Sequence, residues 1–167
     1  GSNCYEENGE EAFISMKKAA DAGDAQAINW IGAFYSSGIG VPVNHKKKME
    51  YYLKGVERGD TYAMNNIGHS FEKGEGTDVD FTKAAEWYKK AADKNNPLAQ
   101  ESLGRFYENG FGVSVNYTRA LNLYTKSALQ GNLEAMMGIG RIYENGLGVE
   151  KNLKEAAMWY EKAMSGN

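Results

Sequence analysis

The chain has 167 residues, 42% of them hydrophobic and 25% charged, and its 19 basic against 22 acidic side chains give a formal net charge of −3. That balance argues against general nucleic-acid or acidic-lipid binding, which needs a clustered basic surface; the one basic run, Lys46-Lys47-Lys48, reads as the solvated start of a helix. No apolar run approaches the roughly 20 residues that span a bilayer, so a soluble chain is expected, its compartment left open between cytoplasmic, periplasmic and secreted.

Residues 1–7 read as a cloning remnant, Gly1-Ser2, followed by a frayed terminus. Cys4, the single cysteine, allows no internal disulfide. It reads as an incidental thiol, with a residual lipid-anchor cysteine as the alternative. From Asn8 a helix is expected. Asn8 takes the cap position, Glu11 completes a capping box, Phe13, Met16, Ala19 and Ala20 make an apolar face, and Gly23-Asp24 closes it.

Beyond residue 24 the chain falls into register four times with a period of 36, headed by Ala27, Ala63, Ala99 and Ala135. Such a period means one supersecondary unit stacked on copies of itself. Each repeat opens with a helix A whose buried face holds the alanine, an apolar residue (Ile31, Ile67, Leu103, Ile139), a glycine (Gly32, Gly68, Gly104, Gly140) and an aromatic (Tyr35, Phe71, Tyr107, Tyr143). A glycine inside a helix costs roughly 1 kcal/mol against alanine, so its recurrence predicts close approach of a partner helix. Helix A ends at a Gly-x-Gly doublet, as in Gly38-Ile39-Gly40 and Gly110-Phe111-Gly112, with glycine as the left-handed C-cap. A short apolar piece and a capping residue, Asn44, Asp80, Asn116 or Asn152, then start helix B. Its face is Ala84, Trp87, Tyr88 and Ala91 in the second repeat, and Ala120, Leu123, Tyr124 and Ser127 in the third. Helix B stops at Gly59-Asp60, Asn95-Asn96 or Gly131-Asn132, and Pro97 follows in the first turn of the next helix.

The organisation expected is a half repeat at residues 8–24, then repeats at 25–60, 61–96, 97–132 and 133–167. The last helix B has no following helix A. Its uncovered side is a candidate for end-to-end self-association or for burial in a longer array.

The string Ala, Leu/Ile-Gly, Tyr, Gly-x-Gly-Val, Asp/Asn, Lys-Ala, Trp-Tyr, Lys-Ala-Ala resembles the Sel-one-like repeat (SLR), a tetratricopeptide-related module. It is carried by Lys83-Ala84, Trp87-Tyr88 and Lys90-Ala91-Ala92, and by Leu147-Gly148-Val149, Trp159-Tyr160 and Lys162-Ala163. The first repeat departs most, with Lys48 in the alanine column, Tyr51 for Trp and Gly55 for Ala. The resemblance implies an all-α fold, a right-handed superhelical α/α solenoid of stacked antiparallel helix pairs with about nine helices. It also implies adaptor roles, with a few members linked to penicillin and peptidoglycan. The secreted subclass that ties each repeat with a cysteine pair is excluded by the cysteine count.

No catalytic constellation is visible. His45 and His69 sit in different helices without Cys or Asp at ligand spacing, so no metal or other cofactor is expected. His69 and Ser70 are adjacent in a helix and point apart. The glycine doublets follow helices and recur in every repeat, which excludes a phosphate loop.

Function is therefore sought in what varies between repeats. By analogy with tetratricopeptide stacks, helix A lines a concave groove through three columns: Asn29, Asn65, Glu101, Met137; Ala33, His69, Arg105, Arg141; and Ser36, Glu72, Glu108, Glu144. Asn29 and Asn65 suit a peptide backbone, and Arg105 and Arg141 suit a carboxylate. Alternatively Arg105 pairs with Glu101 and Glu108, and Arg141 with Glu144, within their own helices. Trp30 has no aromatic counterpart in its column, so it either packs on the opening half repeat or is an exposed anchor. The expected function is a non-catalytic protein or peptide scaffold. A binder or enzyme acting on cell-envelope material, and a purely structural spacer, are the alternatives.

Overall fold

The computed structural model describes the backbone of residues 4–166 and the side chains of residues 8–166. Among the described residues there are nine helices and no strands: α1 (Cys4–Asp21), α2 (Ala25–Ser37), α3 (His45–Glu57), α4 (Thr61–Lys73), α5 (Phe81–Asp93), α6 (Pro97–Asn109), α7 (Tyr117–Ala128), α8 (Leu133–Asn145) and α9 (Leu153–Ser165). The fold is all-α, a tetratricopeptide-like helical repeat in which α2, α4, α6 and α8 are the A helices and the odd-numbered ones are B. Two compact units, Gly1–Asp80 and Phe81–Asn167, divide between α4 and α5.

Local chemistry explains the boundaries. Asp24, Asn44, Asp60, Asn96, Asn116, Asn132 and Asn152 all sit in extended backbone, and each side chain accepts from amides in the first turn of the next helix. At the other ends of the A helices Gly38, Gly74, Gly110 and Gly146 take left-handed φ between 63° and 74°. The second glycine of each doublet does a different job. A Cβ on Gly76, Gly112 or Gly148 would lie within 3.0 Å of the start of the preceding helix B, at His45, Phe81 and Tyr117 respectively. Asn95 takes the left-handed conformation, φ 67°, that Gly23, Gly59 and Gly131 supply elsewhere.

The opening helix differs from the expectation. α1 begins at Cys4, so Asn8 and Glu11 lie inside it and form no capping box. The other B helices are set off by a glycine doublet and an apolar stretch such as Val41-Pro42-Val43, whereas Tyr5-Glu6-Glu7 contains nothing to stop a helix. The Cys4 side chain, and with it the lipid-anchor reading, lies outside the described residues.

In the first unit Ala27, Ile28, Ile31, Tyr35 and Tyr51 form a buried cluster, flanked by Phe13 and Met16 of α1. In the second, Ala120, Tyr124, Ala135, Ile139 and Ile142 form another, flanked by Tyr107, Tyr143 and Trp159. The helix A glycines are explained by the tyrosine of helix B. A Cβ on Gly32, Gly104 or Gly140 would come within 3.0 Å of the ring of Tyr52, Tyr124 or Tyr160. Lys48, which breaks the alanine column, is 2% exposed, and its ammonium meets the Glu75 carboxylate at 2.6 Å. That contact holds the Glu75 carboxyl below its ordinary value, against a smaller opposing effect of burial.

Candidate functional site

The helix A columns are populated differently in the two units. In the first, α2 and α4 carry amides and exposed aromatics. Asn66 donates to Asn29 Oδ1 at 3.4 Å, a long bond that ties the two helices. Asn65 is 8% exposed, and its Oδ1 is buried with no hydrogen-bond partner among the described residues. Ala33 and Ser36 are half-buried, and His69 is exposed. The Glu72 carboxylate is largely covered and lies 4.0 Å from Lys73.

Trp30 is 57% exposed and Tyr62 is 49% exposed. With Asn29, Gln26 and Arg58 they line a hollow of about 440 Å³. The Trp30 ring lies 6.5 Å from that of Phe34, which in turn meets Phe13 of α1 edge-on at 6.0 Å. The indole is thus linked to Phe13 of the opening half repeat through Phe34, and it keeps more than half of its surface exposed. Aromatic and arginine side chains with their faces accessible are the residues that dominate binding energy at interfaces.

In the second unit the same columns are charged and largely engaged. Arg141 of α8 donates to both oxygens of Glu108 in α6, from Nε at 3.2 Å and Nη2 at 3.0 Å. This corrects the expected pairing of Arg141 with Glu144. Glu144 instead accepts the hydroxyl of Tyr160 at 2.7 Å, leaving the preceding helix A as the source of a carboxylate. Glu108 also accepts the Tyr124 hydroxyl at 2.5 Å. Burial pushes the Tyr124 phenol well above its ordinary value, and the bond to Glu108 pushes it further. The Arg105 guanidinium lies 5.3 Å from the Phe106 ring, Glu101 is half-buried, and Met137 is 37% exposed.

The tyrosine partners of Glu108 and Glu144 were missed from sequence. The signal was present: each glutamate is followed after 16 residues by its tyrosine, Tyr124 and Tyr160, whereas Ser36 precedes Tyr52 at the same distance. Arg58 and Tyr62 were also missed, because they lie at helix ends outside the groove columns.

Ser70 is buried and donates to the Asn66 carbonyl at 3.0 Å, while the neighbouring His69 is exposed, so these two side chains do not form a nucleophile–base pair. Among the described residues no group of three or more His, Cys, Asp or Glu is placed to hold a metal ion. None of the described helices is long and apolar enough to cross a membrane.

Comparison with known proteins decides the family. A family model for the Sel1 repeat matches residues 1–24, 25–60, 61–96, 97–132 and 133–166. The chain belongs to the Sel1 repeat family. A Sel1 repeat protein from Oxalobacter formigenes is 28% identical with a TM-score of 0.89, over 96% of this chain and 65% of its own. The protein c5321, a protective antigen of uropathogenic Escherichia coli strains, is 31% identical with a TM-score of 0.81, over 94% of this chain and 34% of its own. The chain therefore spans under two thirds of one relative and about a third of the other. Cysteine rich protein B of Helicobacter pylori, 24% identical with a TM-score of 0.62 over 74% of this chain and 93% of its own, shares the fold. No curated protein matches the chain. Sel1 repeats are generally protein-interaction scaffolds and mostly non-catalytic.

Proposed function

We propose that this Sel1 repeat chain is a non-catalytic scaffold that binds an extended peptide of a partner protein along its helix A face. The observation that carries the reading is the exposed pair Trp30 and Tyr62, which flanks a hollow lined by Asn29 and Arg58 in the first unit. The rings supply rigid apolar contact at small entropic cost. Asn29 and Asn65 supply backbone-directed amides: the Asn65 oxygen has no partner among the described residues, and a peptide N–H reached by a small side-chain rotation satisfies it. In the second unit Arg105 and Arg141, flanked by Glu101, Glu108 and Glu144, offer charge, and Met137 an adaptable apolar contact. Arg141 keeps 44% of its side chain exposed while holding Glu108, so a peptide carboxylate competes with that contact.

The test is a peptide-display selection on the wild-type chain, repeated on Trp30→Ala/Tyr62→Ala and on Arg105→Ala/Arg141→Ala. Selected peptides are expected to lose about tenfold or more in affinity with the aromatic double variant, and less with the arginine one. In a Trp87→Phe/Trp159→Phe background, Trp30 emission is expected to be red-shifted and quenchable in the free chain and to shift to the blue with peptide. Blue, unquenchable emission in the free chain sinks the anchor. Failure to enrich any peptide favours a structural spacer, and enrichment of peptidoglycan fragments instead favours the cell-envelope reading.

A further inference from the structure

Position 123 breaks the helix B pattern. Its column reads Tyr51, Trp87, Leu123, Trp159, so the third repeat alone lacks a ring. In the other three a lysine three residues on covers that ring: Lys54 lies 4.5 Å from Tyr51, Lys90 4.2 Å from Trp87 and Lys162 4.4 Å from Trp159. The lysine persists in the third repeat as Lys126, with Leu123 where the ring belongs.

The space is left open. A hollow of about 370 Å³ is lined there by Leu103 and Tyr107 of α6, Arg119, Asn122 and Leu123 of α7, and Lys89 of α5. That volume is at the lower end of the about 300–1,000 Å³ typical of sites that enclose a ligand. Its lining combines the apolar Leu103 and Leu123 and the Tyr107 ring with polar and charged side chains. In the first repeat the ring of Tyr35, which is the counterpart of Tyr107, packs against Tyr51 at 5.9 Å and lies under Lys47 at 5.3 Å. In the third, Arg119 lies over Tyr107 at 5.4 Å and donates to its hydroxyl at 3.1 Å, fixing the ring in place, while the partner from position 123 is missing.

We propose that this hollow is a binding site for an aromatic side chain, tryptophan first, presented by an acidic segment of a partner polypeptide. The chain's own repeats define the guest. Trp159 occupies the equivalent position in the fourth repeat, packed against the core together with Tyr143. A guest indole takes up the contact with Tyr107 that Tyr51 makes with Tyr35, and it restores the cation–π contact for Lys126. Of the charged residues lining the hollow, Lys89 is paired with Asp93 at 2.6 Å and Arg119 is left in excess, a net positive charge that favours acidic residues beside the ring. The site lies among α5, α6 and α7 and uses none of the helix A groove columns.

The test uses the peptide Ac-Asp-Trp-Asp-amide, its counterpart with Leu for Trp, and free indole, on the wild-type chain and on Leu123→Trp and Leu123→Met. Binding is read from amide shifts of Thr118, Arg119 and Asn122. The tryptophan peptide is expected to shift these amides in the wild type and in Leu123→Met, which keeps the volume of the side chain. In Leu123→Trp, where the chain fills its own hollow, binding is expected to be about tenfold or more weaker. The leucine peptide is expected to be equally weak. Should Leu123→Trp fail to fold by circular dichroism, Leu123→Phe makes the same comparison with a smaller ring. Absence of shifts with the tryptophan peptide, or undiminished binding in the filled variants, overturns the site. Free indole binding as tightly as the peptide overturns the polypeptide as its occupant.

Discussion

The two units solve the same packing problem with opposite chemistry. Where the loop after helix A comes down on the start of the preceding helix B, the second unit packs rings: Phe111 stacks on Phe81 at 5.4 Å and meets Phe106 at 5.7 Å. At the equivalent position the first unit has Glu75 in place of Phe111 and Lys48 in place of Ala84, joined as an ion pair. The repeat thus demands filled volume there and tolerates either kind, provided both partners change together. An apolar contact survives the loss of one member in reduced form, whereas a charge left alone in the interior is penalised.

The largest expected effect breaks that asymmetry. Glu75→Leu strands the Lys48 ammonium, which is 2% exposed. Removing one partner of a buried pair typically costs about 3–5 kcal/mol, and the partial exposure of Glu75 puts this case at about 2–3 kcal/mol. Lys48→Ala/Glu75→Phe, which copies the second unit, is expected to recover most of that loss in urea unfolding. A double variant no more stable than the single one would show that the pair is not the joint. The pH dependence follows from the lowered Glu75 carboxyl. A depressed carboxyl contributes stability that is present above the unfolded value, about 4.3, and lost as pH falls through the folded one. The wild type should therefore lose stability in acid below about pH 4.3 more steeply than the double variant.

The sequence made the repeat, its caps and its glycines legible because each is set by local backbone chemistry repeated four times, which a period exposes. Asp60, Asn96 and Asn132 cap as their spacing requires. What the register conceals is pairing between repeats. The Lys48–Glu75 pair spans 27 residues, and the Arg141–Glu108 pair 33, so neither falls at a helical spacing. Within one helix Arg141 and Glu144 are near neighbours, and only the packing of α8 on α6, with Tyr160 already on Glu144, redirects the arginine. The start of α1 was misjudged for a related reason: a cap column predicts where a helix can begin and says nothing when no breaker precedes it.

Overpacking the glycine seam gives a smaller difference between the units. Gly32→Ala presses on Tyr52 and Gly104→Ala on Tyr124, both buried rings. Extra volume in a packed core costs about 1–3 kcal/mol, against about 1 kcal/mol gained from better helix propensity. Tyr124 is held at its hydroxyl by Glu108, whereas the column that supplies Glu108 holds Ser36 beside Tyr52. The anchored ring yields less, but a Cβ on Gly32 comes closer to its ring than one on Gly104 does. Gly104→Ala should therefore destabilise at least as much as Gly32→Ala, about 1–2 kcal/mol each, and thermal denaturation of the two variants makes the comparison. A clearly smaller loss for Gly104→Ala would mean that the glutamate does not fix the ring.

The smallest effect on stability isolates that glutamate. Glu108→Gln still accepts from Tyr124 but gives up the charge opposite Arg141, a partly exposed pair worth about 1 kcal/mol or less. Its signature lies in alkali. Because the folded Tyr124 phenol is raised, stability falls as pH climbs above the unfolded tyrosine value of about 10, and it goes on falling until the folded phenol ionises. Removing the carboxylate lowers that upper limit while leaving the lower one in place, so the variant should lose less stability in alkali than the wild type. Tyr52, pushed up to about 12 chiefly by burial, serves as the internal control, and its titration should not move. If both tyrosines shift together, the change is a general loosening of the packing. If only Tyr124 shifts, Glu108 joins the two repeats through a phenol on one side and a guanidinium on the other.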